Sequence, residues 1–457
     1  MEDSQSMSRR AFLGRSTQVA AGVGVAGALT GAAPREAHAL WPRPAARRRV
    51  ALVGTGIRGS QMWGRDLVKP YADYVEMVGL CDINPKRMAA ARQIIGVDAP
   101  MYLARDFDRM IQETRPELVI VTTTDCFHAD YIVRAMELGC DVLSEKPVAT
   151  EAEQCQAILD AEARTGKRLL VGFNARHGRS AEEIKKVIRS GALGRIVSAE
   201  YQEYLDVDHG ASYFRRWHGR ARYSGTLLVH KASHHFDQMN WWLDADPVEV
   251  HAFGRVAVYG RNGEFRGRQC RGCEFRDRCD FYWDITKEPL MMQLYANAED
   301  ADGYIRDGCV FDNSIDTYDS MTVEVKYDSG VLLSYSLVAF SPYEGQRIAF
   351  NGEKGRLDVK LVDGTEFTLS ENFKGSRTWV PGASDEPAPL DAGHGGSDGK
   401  LKNLLFVADT PDPLGKKAGS HAGIMSSLIG IAARTSIETG EPVRIADLME
   451  RRATWRW

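Results

Sequence analysis

The sequence predicts two domains, the first a doubly wound α/β domain with a parallel sheet, and three observations carry that expectation. The chain is 457 residues long, more than one compact core organises. Short apolar runs at residues 49–53, 75–80, 118–121 and 141–144 alternate with helix-like segments, as repeated strand–helix units require. The first run also leads straight into a glycine-rich turn, Gly54-Thr55-Gly56-Ile57-Arg58-Gly59-Ser60.

Composition narrows the partners. Apolar residues make up 44% and charged residues 26%, and the formal net charge is -4, so the balance is that of an ordinary soluble globular protein. No basic block is long enough to follow a phosphate backbone, so no nucleic-acid partner is expected.

Residues 1–39 read as an export leader. Ser8-Arg9-Arg10-Ala11-Phe12-Leu13-Gly14 is a twin-arginine pattern, an Ala/Gly/Val-rich stretch follows, and Ala37-His38-Ala39 supplies a cleavage site. The alternative is a short buried helix or a membrane anchor, although the stretch is short and glycine-rich for a bilayer span. Residues 40–48 form a Pro/Arg-rich linker. Export would put the protein in the periplasm or outside the cell. The twin-arginine machinery carries folded proteins, which suits a cofactor inserted before export.

The glycine turn fits a dinucleotide. The first glycine allows the tight turn, the second admits the pyrophosphate, and the third allows close helix–strand packing. The second run ends in Cys81-Asp82, with the acid 28 residues after Gly54. An acid there accepts from the adenosine ribose and repels a 2′-phosphate, favouring NAD(H) over NADP(H), with Arg87 nearby as the opposing feature. A turn or cap role is the alternative for Asp82. Two further strands end in Thr122-Thr123-Thr124-Asp125-Cys126-Phe127-His128 and in Glu145-Lys146-Pro147. Both lie at carboxyl ends of parallel strands, where such folds bind their ligands.

Together these residues resemble the glucose–fructose oxidoreductase and inositol dehydrogenase family (Gfo/Idh/MocA). The likeness runs through GTGIRGS, TTTDCFH, SEKPVAT, VGFNARHGR, SGALGRI, SGTLLVHKASHHFDQMNWWL and SIETGEPVRIADL. It implies a Rossmann domain over 49–172 and an α+β domain with a large, mainly antiparallel open sheet over 173–457. It implies a cofactor site of Gly54, Gly56, Ile57, Arg58, Gly59, Asp82, Thr123, His128, Glu145 and Lys146, with Lys146 beside the nicotinamide. Arg176, Lys231 and Asp237 are the expected substrate contacts, and a homo-oligomer is expected through the open sheet. The family's downstream pattern is Asp-x3-His followed by Asp three residues on. Here His234 and Asp237 match, but His230 stands at the first position.

Hydride transfer from an alcohol carbon needs a base for the hydroxyl proton. His234 is the expected base or its relay, with Lys146 polarising the substrate oxygen and His230, Lys231 and His235 shaping the site. Since His234-His235 leads into an amphipathic segment, one of the two must face the core. The run Tyr213-Phe214-Arg215-Arg216-Trp217-His218 reads equally as a sugar-facing wall and as a packed loop.

Four cysteines, Cys81, Cys126, Cys140 and Cys155, read as small core residues. The other four, Cys270, Cys273, Cys279 and Cys309, form C-x2-C-x5-C with a fourth thirty residues on. That spacing suits a structural zinc, and less well an iron–sulfur cluster. Two disulfides are the competing reading, given an oxidising destination.

The functional expectation is therefore an oxidoreductase acting on a small sugar, polyol or glycoside with a tightly held cofactor. An NAD-dependent glycosidase working by transient oxidation is the alternative, and a non-catalytic binding protein the third.

Overall fold

The computed structural model describes residues 47–382 and 393–449. The expected leader lies outside the described residues. Two sheets organise the rest.

The first holds β1 (Arg48–Val53), β2 (Val75–Asp82), β3 (Met101–Leu103), β4 (Leu118–Val121), β5 (Asp141–Ser144) and β6 (Leu169–Val171) in the order β3-β2-β1-β4-β5-β6. Every neighbouring pair is parallel. β4 is buried along its whole length, which is why it reads as a continuous apolar run rather than an alternating one. The order reverses between β1 and β4, opening a crevice at the strand carboxyl ends. Local chemistry sets the helix ends. Helix Pro85–Ile95 starts with proline in its first turn, with the Asn84 side chain accepting from the Lys86 and Arg87 amides, and stops at left-handed Gly96.

The second sheet is nine-stranded: β7 (Ile196–Asp206), β8 (Pro247–Arg255), β9 (Ser320–Tyr327), β10 (Leu332–Ser341), β11 (Gly345–Gly352), β12 (Gly355–Leu361), β13 (Glu366–Glu371), β14 (Gly375–Trp379) and β15 (Val443–Arg444). Their order is β14-β13-β12-β11-β7-β10-β9-β8-β15, antiparallel except for the β7–β10 pair. β9 and β10 form a hairpin, in register from Met321↔Leu337 to Lys326↔Leu332. Its alternation follows burial: Met321, Val323 and Val325 point into the core, and Thr322, Glu324 and Lys326 point out.

The C-terminal part of the chain returns to the first domain. Ser397–Phe406 is a helix whose Leu401 belongs to one apolar cluster with Met62 and Trp63. Tyr71 donates to Asn403 Oδ1 at 2.8 Å, so this helix is part of the first domain's wall. Between β8 and β9, residues 256–319 contain only short helical turns and form the cysteine-bearing insertion.

Candidate active site

The glycine turn is closed to any side chain larger than hydrogen at Gly54 and Gly59. Gly54 has φ +87°, and a Cβ there would lie 2.5 Å from the Thr122 carbonyl oxygen. A Cβ on Gly59 would lie 2.2 Å from Gly54 O. The turn is tied to the next strand by Asp82, whose Oδ2 accepts from Thr55 N at 2.6 Å and Thr55 Oγ1 at 2.8 Å. Arg58 reaches back to Glu145 Oε1 at 2.6 Å and to Asp398, while Trp63 Nε1 donates to the same Glu145 oxygen at 2.8 Å. The turn, β5 and the Ser397–Phe406 helix are thus one hydrogen-bonded unit.

Beside that unit lies a cluster of bases. Lys146, which follows Glu145 and forms a cis peptide bond with Pro147, donates from Nζ to the His230 carbonyl at 2.7 Å. Burial lowers its pKa to about 8, although Asp125 and Glu145 pull it upward. His230 Nδ1 lies 2.6 Å from Asp125 Oδ2, and both side chains are nearly closed to solvent. Burial drives Asp125 up and His230 down, which favours an uncharged imidazole. His218 stands edge-on to His230 with ring centres 4.1 Å apart, and it stacks on Trp217. His234 sits edge-on to Phe173, its buried Nδ1 has no hydrogen-bond partner, and burial also holds it well below the usual histidine range.

This arrangement can take a proton from a hydroxyl and keep the imidazole oriented while doing so. Asp125 supplies the carboxylate that the sequence pattern lacks at position 230. The structure therefore restores an Asp–His pair with the partners drawn from different strands and loops.

Several expected site residues also carry contacts within the fold. Asp82 accepts from Asn84 N at 2.9 Å and Arg87 at 3.4 Å as well as twice from Thr55, so the protein already fills its acceptor positions. Asp82 fastens the glycine turn to the end of β2. His128 spans Pro147 O at 2.6 Å and Thr123 O at 3.1 Å and clamps two loops together, so it and Thr123 act through the backbone. Arg176 and Asp237 form a buried bidentate pair at 2.7 and 2.6 Å. Lys231 pairs with buried Glu203 at 3.2 Å. His235 faces the core, with Nδ1 2.9 Å from the Tyr335 hydroxyl.

The three cysteines of the C-x2-C-x5-C pattern and Cys309 lie in the insertion as thiols without disulfides. All eight cysteines are free thiols, and among the described residues no group of three or more His, Cys, Asp or Glu side chains is gathered to hold a metal. Cys270, Cys273 and Cys309 are near enough to Cys279 to help burial raise its thiol pKa, so the four share a neighbourhood. Other forces hold the loop: Arg271 pairs with fully buried Asp307 at 2.9 Å, and Phe265 stacks on Phe275.

Sequence reasoning did not single out Asp125, and it named His218 only within a run that could equally be a packed loop; Tyr295 and Arg306 it did not raise. Asp125 had a visible signal, since it follows a buried parallel strand within the quoted loop. Tyr295 and Arg306 had none, because each is far in sequence from the glycine turn.

A dinucleotide fits these residues. Gly54 and Gly59 admit no side chain, Ile57 N donates at 2.8 Å to the Tyr295 hydroxyl rather than to a backbone acceptor, and Gly56 leaves the approach to the turn open apart from that hydroxyl. Fold and site together define a two-domain oxidoreductase with a nicotinamide-dinucleotide-binding Rossmann domain. The chain belongs to the Gfo/Idh/MocA family: the oxidoreductase-family NAD-binding Rossmann model matches residues 48–173, and the oxidoreductase-family C-terminal alpha/beta model matches residues 185–445. YteT of Bacillus subtilis (strain 168), which is named as an oxidoreductase, is 33% identical over 433 residues, covering 88% of this chain and 99% of YteT. Inositol 2-dehydrogenase of Salmonella typhimurium is 31% identical over 202 residues, 43% of this chain and 56% of that protein. The aldose–aldose oxidoreductase of Caulobacter crescentus, solved with glycerol, superposes with TM-score 0.59 at 16% identity, over 87% of this chain and 99% of its own, and shares the fold.

Proposed function

We propose that this protein is an exported oxidoreductase that moves hydride between a hydroxyl-bearing carbon of a sugar or polyol and a retained nicotinamide dinucleotide, NAD(H) in preference to NADP(H). The observation that carries the reading is the convergence of Lys146, His230 and Asp125 beside the glycine turn. The bound nicotinamide would supply the two-electron acceptor or donor.

The chain's own residues supply the proton chemistry. As the carbon is oxidised, the hydroxyl proton passes to His230 Nε2, with Asp125 steadying Nδ1, and neutral Lys146 hydrogen-bonds the substrate hydroxyl and shares its proton. His234, with an unpartnered ring nitrogen, binds a neighbouring hydroxyl. The relationship to an inositol dehydrogenase supports a polyol or sugar substrate. Arg87 is held between Asp82 and Asp302, at 3.4 and 2.7 Å, and is not free for a ribose phosphate, which supports NAD(H).

Export by the twin-arginine route rests on residues 8–14 and is tested by replacing Arg9 and Arg10 with lysine and following the protein's compartment. Self-association through the nine-stranded sheet is supported by Phe253 and Leu332, 66% and 55% exposed on its outer face. Light scattering of the purified protein checks it.

The enzymatic reading is tested by screening polyols and aldoses for reduction of bound NAD+, followed at the nicotinamide absorbance. Substrate-dependent reduction that Lys146→Met abolishes is the expected result. Nucleotide binding without reduction by any polyol or sugar would overturn the substrate class.

A further inference from the structure

The insertion does more than decorate the second domain. Residues 289–306 lie across the dinucleotide domain, where Leu294 is fully buried and packs in one apolar cluster with Met88, Ala91 and Ile95 of helix Pro85–Ile95. Asn84, at the start of that helix, donates to Ala298 O at 2.9 Å, and Arg87 donates to Leu294 O at 3.3 Å. Polar and apolar contacts alike therefore bind this segment to the Rossmann side of the molecule.

Three of its side chains face the places where a dinucleotide is held. The Tyr295 hydroxyl takes the Ile57 amide, a glycine-turn donor of the kind that serves a pyrophosphate oxygen. Among the described residues that hydroxyl has no acceptor of its own. Arg306 lies over the rings of Trp283 and Tyr295, 5.3 and 5.8 Å from their centres, and among the described residues it forms no ion pair. Arg216 likewise has no carboxylate among the described residues, donating only to Ser212, and burial together with Arg306 lowers its pKa to about 10. Arg306, a guanidinium without an ion pair among the described residues and above the ring whose hydroxyl takes the Ile57 amide, puts positive charge where it attracts an anion at the turn. At the other end of the segment, Asp302 adds a carboxylate 2.7 Å from Arg87.

We infer that residues 289–306 form a strap that completes the dinucleotide site, with Tyr295 and Arg306 serving the pyrophosphate and Asp302 opposing a ribose phosphate, so that the nucleotide leaves only when the strap lifts. This rests on the reading that the protein holds a nicotinamide dinucleotide. When the pyrophosphate takes the Ile57 amide, the Tyr295 hydroxyl turns from acceptor to donor and hydrogen-bonds the phosphate. Lifting the strap exposes Leu294 and breaks the Asn84 and Arg87 hydrogen bonds together, and retention follows from that combined cost.

The test loads the full-length protein with NADH and follows its release after a chase with excess NAD+, by nicotinamide fluorescence. Arg306→Gln is expected to speed release roughly tenfold or more, as loss of a charged hydrogen bond implies. Tyr295→Phe keeps the ring packing and speeds release severalfold, and Asp302→Asn improves NADP+ binding relative to NAD+ by roughly tenfold. Far-ultraviolet circular dichroism shows that each variant is folded. In the unaltered protein, NADH is expected to slow hydrogen exchange of the amides in 289–298, a measurement that needs no variant. Wild-type release rates in folded variants, or exchange that NADH leaves unchanged, overturn the strap while leaving the oxidoreductase reading intact. A wild-type protein that binds no dinucleotide overturns both.

Discussion

His230 Nδ1 lies 2.6 Å from Asp125 Oδ2, joining the loop after β4 to the segment that precedes helix Ser233–Leu243. The histidine occupies the position where the family pattern places an acid, and the acid comes from another part of the chain.

That pairing makes Asp125 a direct target. Asp125→Asn removes the carboxylate that holds the imidazole in one tautomer, and kcat is expected to fall by about two to four orders of magnitude. NADH affinity, measured by fluorescence titration, is expected to stay within about twofold, because Asp125 lies beside the proton-handling residues and not at the glycine turn. An unchanged kcat would assign the base to another residue.

Lys146 sets the pH dependence. Its pKa is lowered to about 8 by burial, so its neutral form grows as pH rises through that value. The oxidation rate is expected to climb through the same range and the reverse reduction to decline, as pH–rate profiles in both directions measure. The linkage to stability has the same sign. The unfolded chain holds this proton up to about 10.4, so stability gains with pH between about 8 and that value. Urea unfolding at several pH values checks it.

The buried pair Arg176–Asp237 is a stability element. Asp237→Ala leaves an unpaired guanidinium in the core and is expected to cost about 3–5 kcal/mol, read from the urea midpoint. Per folded molecule, kcat is expected to change little, because the two residues bind one another. A large kcat loss in fully folded variant protein would return both residues to the substrate site.

Gly59 tests the turn itself. A methyl group there would sit 2.2 Å from Gly54 O and 2.6 Å from Thr122 Oγ1. Gly59→Ala is expected to cost about 1–3 kcal/mol of stability and to weaken NADH binding by about tenfold or more. Isothermal titration of the variant against the unaltered protein measures it.

What the sequence determined by itself was everything written in local periodicity and steric necessity. Continuous apolar runs marked β1, β4 and β5. Alternation marked the β9–β10 hairpin. The glycine turn and Glu145-Lys146-Pro147 were legible because their chemistry depends on neighbours a few residues away. Contacts distant in the chain were not legible. Asp125 and His230 are 105 residues apart, and Ile57 and Tyr295 are 238 apart. Only the tertiary structure decided that Asp82 spends its oxygens on the turn, that Arg176 and Asp237 bind one another, and that the four cysteines of the insertion share a neighbourhood without gathering into a metal site. The physical reason is common to all of these: a polar side chain's role depends on which donors and acceptors burial brings against it. Those partners are chosen by how the two sheets and the insertion pack, and no local pattern encodes that choice.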